Sequence, residues 1–542
     1  MAIVGRGLYR RRLLLSPLRS QIESPLQPLK GQKQAQLVDL RFPSKRYLTS
    51  SQATSSHAKN KFVCMPISFR DPAGHVLSSE GRILRIMKRS AAEDLRNFLT
   101  TETAQRFIES GQLVRTDFFD DTVSERILSD SLVNQAAIDS SQVVVEHERI
   151  PFPSFPYEWP PEMLHAAGSL TLNLALDLLG QGFGLKDATP YNILFRGSKP
   201  VFIDVLSFER RDPNDPTWLP YAQFVRTFLL PLLVNKHFHT PLNELLITNR
   251  DGVEPEKVYA LLSGAKKVRP EFLTLVSLPT WLASKNSTRT TDLYKKRSQE
   301  NPEKVQFILE RLLKGLRRKL DRAAPERDQD STWSAYMTKN RYTEDYFPEK
   351  ESFVSEALTD AKPSMVLDVG CNTGFFSALA AKSGASVIAI DSDAVVAGKV
   401  WQLSQSEGLD IQPLVVDLTR PSPSIGWRNQ ECPSFLDRAR GTFDAVLMLA
   451  VIHHMLVSER IPLPQILELA SELTNNLLII EFVSPNDPMF RVLTRGREHL
   501  HEDLTLEVFE QTAKRYFEIV RSQRLGNADR WIYLLRKKAG LR

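Results

Sequence analysis

The sequence predicts an α/β protein in which residues 333–542 form a doubly wound, mainly parallel sheet, preceded by an α+β region. The first observation is the stretch 366–391, where two apolar runs flank a glycine-rich turn and an amphipathic run, in the order strand, turn, helix, strand. The second is that strand and helix patterns keep alternating afterwards, which is typical of a parallel sheet. The third is the length of 542 residues, which predicts two or three domains.

Composition and cysteine usage narrow the class of protein. The chain is 42% hydrophobic and 25% charged, as globular proteins are, and no apolar run reaches the roughly 20 residues that a membrane span needs. Cys64, Cys371 and Cys432 are scattered without metal-ligand spacing, which predicts a reducing compartment and no structural disulfide. We therefore expect a cytoplasmic protein without a membrane span.

The net charge of +6 is concentrated at the start of the chain. Residues 1–50 hold ten Lys and Arg against two acids, a charge of +8, so the remainder is near neutral at −2. The folded part therefore has no excess of positive charge that would predict a nucleic-acid-binding surface. We interpret residues 1–58 as a basic disordered tail. An organelle transit peptide remains open because this stretch is Arg-rich and poor in acids. An over-long start site is a further alternative.

Residues 59–322 are predicted to form the α+β region, with a polar linker at 323–332. Apolar runs predict the strands, and apolar residues at helical spacing predict the helices, one of which Gly180 and Gly182 terminate. The expected elements are strand 81–88, helix 91–110, strand 143–149, a Pro-rich connector, helix 166–179, strand 200–203 and helical segments 221–237, 242–248 and 301–319.

A polar pattern inside this region indicates a second site. Asp187 and Asn192 have D-x-x-x-x-N spacing, and Asp204 follows the strand 200–203, so two strands joined by a tight turn would bring all three to one edge. The pattern resembles the catalytic loop of kinase-like phosphotransferases, especially the aminoglycoside-kinase type, in which such residues supply a base and metal ligands. The resemblance implies that Asn192 and Asp204 bind metal only if this region is an active kinase; no other metal site is expected.

This sequence departs from the kinase pattern in two ways. No Gly-rich loop precedes it, and the residues after Asp204 are Val-Leu-Ser rather than an apolar residue and Gly. Lys88 could act as the phosphate-pairing lysine, with Glu93 or Glu102 as its helix partner. An active kinase, a kinase-like fold reused for structure or substrate binding, and an unrelated fold all stay open.

The C-terminal region repeats the strand–helix alternation, with its last strand predicted to be antiparallel. The expected elements are helix 348–361, strand 366–368, helix 375–382, strand 386–390, helix 394–407, strands 411–416 and 443–449, helix 463–473, strand 477–482, helix 504–516 and strand 531–536.

The turn after the first of these strands indicates the ligand. Its spacing is Asp368-x-Gly370-x-Asn372-x-Gly374, with Cys371 buried in the turn. Glycine there lets a ligand lie against bare backbone. An acid two residues before the first glycine repels a pyrophosphate but suits the ammonium of a methionine, so the pattern favours S-adenosylmethionine over a dinucleotide.

This turn resembles motif I of class I methyltransferases, whose sheet is Rossmann-like. The resemblance implies that Asp391, about 20 residues on, accepts hydrogen bonds from the ribose hydroxyls and that Asp417 contacts the adenine amino group. Trp333 and Tyr336 precede the motif and are expected either to stack on the cofactor and its sulfonium or only to anchor their segment to the sheet.

The carboxyl ends of the later strands predict the catalytic residues. His453, His454 and Glu481 follow or end adjacent strands, at the edge where open sheets bind ligands. A histidine near neutral pKa can take a proton from a hydroxyl or amine. The alternative is that one histidine fills the pocket wall and the other caps a helix.

Two motifs together resemble the bacterial methyltransferases related to the rhizobial nodulation protein NoeA. These are KDA-x-x-Y-N-x-x-F-x-G-x-x-PVFID-x-x-SFE and LDVGCNTG-x-F-S, and the resemblance covers roughly residues 60–540. It implies transfer of a methyl group from S-adenosylmethionine to an O or N atom of a small molecule or saccharide. A bifunctional protein with a kinase activity and a non-catalytic S-adenosylmethionine binder are the alternatives. Nothing in the sequence indicates the oligomeric state.

Overall fold

The computed structural model describes residues 65–68, 70–79, 81–129, 142–285, 299–326, 330–331 and 343–540. The described residues, from 65 to 540, belong to one compact unit. The predicted tail, residues 1–58, and the linker residues 327–329 and 332 lie outside the described part, so the tail and the predicted domain boundaries stay predictions. None of the described helices is long and apolar enough to span a membrane.

The first described part of the chain is a five-stranded antiparallel sheet of strand order β1-β2-β3-β5-β4. Its elements are β1 (Met65–Ser68), β2 (Gly74–Ser79), β3 (Arg82–Lys88), α1 (Arg89–Leu99), α2 (Glu102–Glu109), β4 (Thr116–Phe118), α3 (Asp121–Ser129) and β5 (Gln142–His147). The predicted single helix 91–110 is wrong. Thr101 accepts a hydrogen bond from the N–H of Ala104 at 3.2 Å, and this cap starts a second helix.

A mainly helical part follows, with two short two-stranded antiparallel sheets, β6-β9 and β7-β8, in its first third. Its elements are α4 (Pro161–Leu179), β6 (Phe183–Leu185), β7 (Ile193–Arg196), β8 (Lys199–Phe202), β9 (Phe208–Arg210), α5 (Tyr221–Phe224), a π-helical turn (Val225–Leu229), α6 (Leu230–Phe238), α7 (Leu242–Thr248), α8 (Pro255–Leu261), α9 (Pro270–Phe272), a second π-helical turn (Leu273–Ser277), α10 (Leu278–Lys285) and α11 (Pro302–Ala323). The predicted helix 166–179 begins earlier, with prolines at its start.

The C-terminal part is a seven-stranded sheet flanked by helices. Its elements are α12 (Thr343–Ala361), β10 (Met365–Val369), α13 (Phe375–Lys382), β11 (Ser386–Asp391), α14 (Ala394–Glu407), β12 (Ile411–Val415), α15 (Phe435–Ala439), β13 (Phe443–Met448), α16 (Ile452–Val457), α17 (Leu463–Leu473), β14 (Thr474–Val483), α18 (Pro488–Thr494), α19 (Leu506–Tyr516), β15 (Phe517–Arg524) and β16 (Arg530–Lys537).

The order of these strands is that of a doubly wound sheet. It runs β12-β11-β10-β13-β14-β16-β15, and only β16 and β15 are antiparallel to their neighbours. The order reverses between β10 and β13, where a doubly wound sheet forms its ligand crevice. As predicted, the C-terminal part has a class I, Rossmann-like fold with an antiparallel last strand.

The described chain before α12 packs directly on this sheet. Trp159 and Trp401 both contact the ring of Phe195, at centroid distances of 4.9 and 5.7 Å. Glu158 and Arg438 form a buried ion pair between the same two parts. One hydrophobic core therefore extends through both parts.

Candidate cofactor site and active site

The turn between β10 and α13 has the backbone that its glycines predict. Gly370 and Gly374 have φ of +67° and +86°, and Asn372 lies between them at +48°. A Cβ on Gly370 would lie 2.6 Å from Cγ2 of Val451, so a side chain cannot fit without displacing that residue. Gly374 instead faces Val400, which a Cβ would approach to 3.0 Å. Gly370 keeps the crevice open, whereas Gly374 allows α13 to pack on α14.

Asp391 ends β11, and its carboxylate accepts a hydrogen bond from the backbone of the turn. Its Oδ2 accepts the N–H of Asn372 at 3.1 Å, and its Oδ1 accepts the N–H of Asp393 at 3.0 Å. Burial raises the pKa of the Asp391 carboxyl, and these backbone donors act in the opposite direction. β10 and β11 are parallel and adjacent, so the strand ends bring the glycine turn and this carboxylate together.

Asp368 is buried beneath the same turn. Its Oδ2 accepts a hydrogen bond of 2.6 Å from the hydroxyl of Ser377. Burial raises the pKa of Asp368 to about 6, so its carboxyl group is mainly ionised at neutral pH. Burial also raises the pKa of the Cys371 thiol well above its ordinary value, so that thiol stays protonated and packs as a small apolar side chain.

These residues surround a cavity of about 380 Å³ at the carboxyl ends of β10, β11, β12 and β13. Several of the residues singled out from the sequence line it: Asp368, Gly370, Cys371, Asn372, Asp391, Asp417 and His454. Asp417 follows β12, and its Oδ1 accepts hydrogen bonds from the N–H and hydroxyl of Thr419. Gly374, His453 and Glu481 do not line this cavity. Trp333 and Tyr336 lie outside the described residues, so their roles stay predictions.

The two histidines start α16 beside the cavity, with ring centroids 4.2 Å apart. His453 is buried behind the wall, where burial and then the neighbouring His454 lower its pKa to about 3. His454 reaches the cavity, and burial followed by the charge of Arg530 lowers its pKa. Both rings are therefore uncharged at neutral pH, and His454 is the one that a bound molecule can contact.

Glu481 is the centre of a buried network of four charges. Its Oε2 accepts a hydrogen bond from Lys350 at 2.6 Å, and its Oε1 accepts one from Arg530 at 3.1 Å. Arg530 also donates two hydrogen bonds, of 2.8 and 3.1 Å, to Asp487. Complete burial would raise the pKa of Glu481, but the charges of Lys350 and Arg530 outweigh it and hold that pKa below its ordinary value.

This network changes the interpretation of one predicted catalytic residue. The prediction that Glu481 takes part in proton transfer remains untested, and its two ion pairs favour an anchoring role. The cavity-facing members of the network are Lys350 and Arg530, neither of which is predicted by a sequence motif. They lie far apart in the sequence, and only the packing of α12, β14 and β16 brings them together.

A second polar cluster lies in the N-terminal part and contains the residues of the kinase-like pattern. Asn192 and Ser207 donate hydrogen bonds of 2.6 and 2.5 Å to Oδ1 of Asp187. Asp204 accepts a hydrogen bond of 2.9 Å from Arg85. The same arginine donates to Nε2 of His147, a buried ring whose pKa burial lowers to about 3.

The structure positions the other residues of that pattern differently from the expectation. Lys88, Glu93 and Glu102 are all exposed, and no ion pair joins them among the described residues. Arg85, three residues before Lys88, is the buried cation on β3 that reaches Asp204. Within the described residues, no group of three or more His, Cys, Asp or Glu side chains is placed to hold a metal ion.

Comparisons with known proteins address the whole chain and its C-terminal part. A family model described as a methyltransferase domain matches residues 341–508. The nodulation protein NoeA of Rhizobium meliloti (strain 1021) is 32% identical over 470 residues, which are 86% of this chain and 94% of NoeA. This chain belongs to the NoeA family.

Solved methyltransferase structures also resemble part of this NoeA-family protein. The N-methyltransferase NodS from Bradyrhizobium japonicum WM9 is 14% identical, covers 35% of this chain and 96% of its own, and has a TM-score of 0.27. Magnesium protoporphyrin IX methyltransferase from Synechocystis PCC 6803, solved with bound SAH, is 17% identical, covers 39% and 91%, and has a TM-score of 0.28. The fold assignment rests on the strand order and the family match.

Proposed function

We propose that this NoeA-family protein is an S-adenosylmethionine-dependent methyltransferase that acts on an O or N atom of a small molecule or saccharide. The observation that carries the proposal is the cavity at the switch point of the sheet, where Gly370, Asp391 and Asp417 converge. Each of these residues comes from the end of a different strand or its turn. A merely structural glycine turn would not need the other two carboxylates beside it.

The residues present fit this cofactor at each of its parts. The Asp391 carboxylate, held by two backbone N–H groups, suits the ribose hydroxyls. Asp417 lines the cavity next along the sheet and would meet the adenine amino group. The bare backbone of Gly370 leaves room that a Cβ would remove. Asp368 supplies a buried negative charge for the methionine ammonium.

The bound cofactor would supply a methyl group already activated by the positive sulfonium. The protein then has to align an acceptor and take up its proton. The cavity continues from the turn to His454, Ser458 and Met489, so these side chains would face the acceptor. His454 is uncharged at neutral pH and can accept a proton there, whereas His453 would hold its neighbour in place.

We expect the purified protein to transfer radiolabelled methyl groups from S-adenosylmethionine to a small compound in an extract of its own cells. Asp391→Ala should abolish the transfer and weaken S-adenosylhomocysteine binding at least about 100-fold. The reason is that two hydrogen bonds to a charged group, each contributing roughly 1.5–3 kcal/mol, would be lost. Isothermal titration measures the binding, and untargeted mass spectrometry identifies the labelled product.

Asp393→Ala is the matched control for this experiment. Asp393 caps α14 through the N–H of Val395 at 2.8 Å and does not line the cavity, so its loss should cost about 1 kcal/mol of stability and leave binding unchanged. Binding without any labelled product would favour the non-catalytic binder. Unchanged binding in Asp391→Ala would contradict the assigned cofactor site.

A second candidate function is nucleotide binding by the N-terminal cluster. It is favoured by the hydrogen bond between Asn192 and Asp187, with Asp204 paired to a buried cation, because kinase-like sites hold Mg²⁺ and phosphates with such groups. In this proposal Arg85 would turn from Asp204 to the phosphates when a cation binds the carboxylate.

We expect ATP with Mg²⁺ to raise the melting temperature by about 2 °C or more, since ligand binding stabilises the folded state by mass action. Asp204→Ala should remove this rise, whereas the exposed control Asp212→Ala should retain it. Differential scanning fluorimetry at millimolar ATP measures the effect. The absence of any rise in the unmodified protein would rule this second function out.

A further inference from the structure

Lys350 places a buried positive charge in the wall of the cofactor cavity. It lies on α12, the helix that precedes the motif I strand, and is 7% exposed. Its ammonium lies 2.6 Å from Glu481 and 5.1 Å from the ring centroid of Phe376. The part of Lys350 that remains accessible therefore faces the cavity, which it lines together with Asp368.

Lys350 and Asp368 present opposite charges on one side of the cavity. The positive charge of Lys350 is close enough to lower the pKa of Asp368, against the larger effect of burial. Asp368 uses one carboxylate oxygen for Ser377. An ammonium has three donors, and Lys350 gives one to Glu481, so two remain for another acceptor.

The other cation in the cavity wall is less suited to a ligand. Arg530 commits three of its N–H groups to Asp487 and Glu481 in bonds of 2.8 to 3.1 Å. The bidentate pair with Asp487 fixes its planar fork, so its two remaining N–H groups cannot be re-aimed at a new acceptor without breaking these bonds, whereas the ammonium of Lys350 rotates freely about its last bond. Lys350 has the compact charge and the unused donors that a carboxylate requires.

We propose that Lys350 and Asp368 together recognise the amino-acid end of the cofactor, Lys350 binding the α-carboxylate and Asp368 the α-ammonium. This inference rests on the proposed function and specifies how the cavity selects its ligand. The amino-acid end is a zwitterion, so its recognition requires one anionic and one cationic side chain at neighbouring positions. A ligand that lacks the amino-acid end forms no ion pair with either residue. Glu481 then acts as a positioning residue that holds the ammonium of Lys350 against the cavity.

The test compares two ligands in the full-length protein by isothermal titration. S-adenosylhomocysteine carries the amino-acid end, whereas 5′-deoxy-5′-methylthioadenosine shares the adenosine and the thioether but lacks that end. We expect Lys350→Gln to weaken S-adenosylhomocysteine binding about 10- to 100-fold, because one charge-assisted hydrogen bond is lost. Methylthioadenosine binding should change by less than about twofold, and Lys350→Arg should recover part of the loss.

Lys382→Gln is the control, because Lys382 forms an exposed ion pair with Glu407 away from the cavity. An equal loss for both ligands in Lys350→Gln would assign the residue a purely structural role and overturn the proposal. Equal affinity of the unmodified protein for both ligands would overturn it as well, while leaving the proposed methyltransferase function intact. If the unmodified protein binds neither ligand, the proposed function itself fails.

Discussion

Gly370→Val should abolish detectable binding of S-adenosylhomocysteine while the protein stays folded. The new Cβ would lie 2.6 Å from Val451, so the side chain must occupy the crevice in which the ligand lies. A β-branched residue at φ of +67° adds backbone strain of about 1–3 kcal/mol, and the steric overlap adds a similar amount. Titration calorimetry, with circular dichroism as the check on folding, measures both effects.

Gly408→Val separates the steric effect from the strain. Gly408 ends α14 with φ of +65°, almost the same as Gly370, and a Cβ there meets nothing within 4 Å. We expect this variant to lose stability through strain and to keep the affinity for S-adenosylhomocysteine. Normal binding by Gly370→Val would mean that the ligand does not approach this turn.

Arg530→Met should destabilise the protein by about 3–5 kcal/mol, the range found when one partner of a buried ion pair is removed. Asp487 would lose both of its hydrogen bonds from Arg530, and Glu481 would keep only Lys350. Both carboxylates are almost completely buried, so water cannot replace the missing cation. The midpoint of urea unfolding measures the loss.

Arg524→Met is the matched control for this change. Arg524 lies on the edge strand β15 and pairs with Asp529 in an exposed ion pair, for which about 0–1 kcal/mol is expected. Adding Asp487→Asn to Arg530→Met should restore part of the stability, because it removes the unpaired charge and keeps the side-chain oxygen that caps α18. Equal urea midpoints for Arg530→Met and Arg524→Met would show that the buried network does not stabilise the fold.

The local elements of the C-terminal part could be predicted because their signals are short-range. The bounds of α13, α14 and α17 match the predicted ranges, since each combines an apolar period with a recognisable start or end. The position of Asp391 beside the glycine turn follows from the parallel pairing that a strand–helix–strand unit imposes. Strand β15 was missed because, as an exposed edge strand, it lacks the apolar alternation that marks half-buried strands.

Which charged residues share the cavity could not be predicted in the same way. Lys350 and Arg530 are 180 residues apart, and neither belongs to a motif. Antiparallel pairing places Arg530 opposite Val483, next to Glu481 on the same face of β14. The approach of α12 then brings Lys350 to the other oxygen of that carboxylate. Such contacts depend on register and packing rather than on spacing along the chain.

By itself, the sequence determined the glycine turn and the order of the acids along the strand ends, from which the class of ligand is predicted, because these features depend on backbone conformation and on neighbours a few residues apart. Only the tertiary structure decided that Gly370 borders the crevice while Gly374 packs on Val400, that His454 rather than His453 faces the cavity, and that Glu481 is paired with two cations. The physical reason is that burial and pairing of a charge are properties of the packed chain, in which distant elements share one solvent-excluded space.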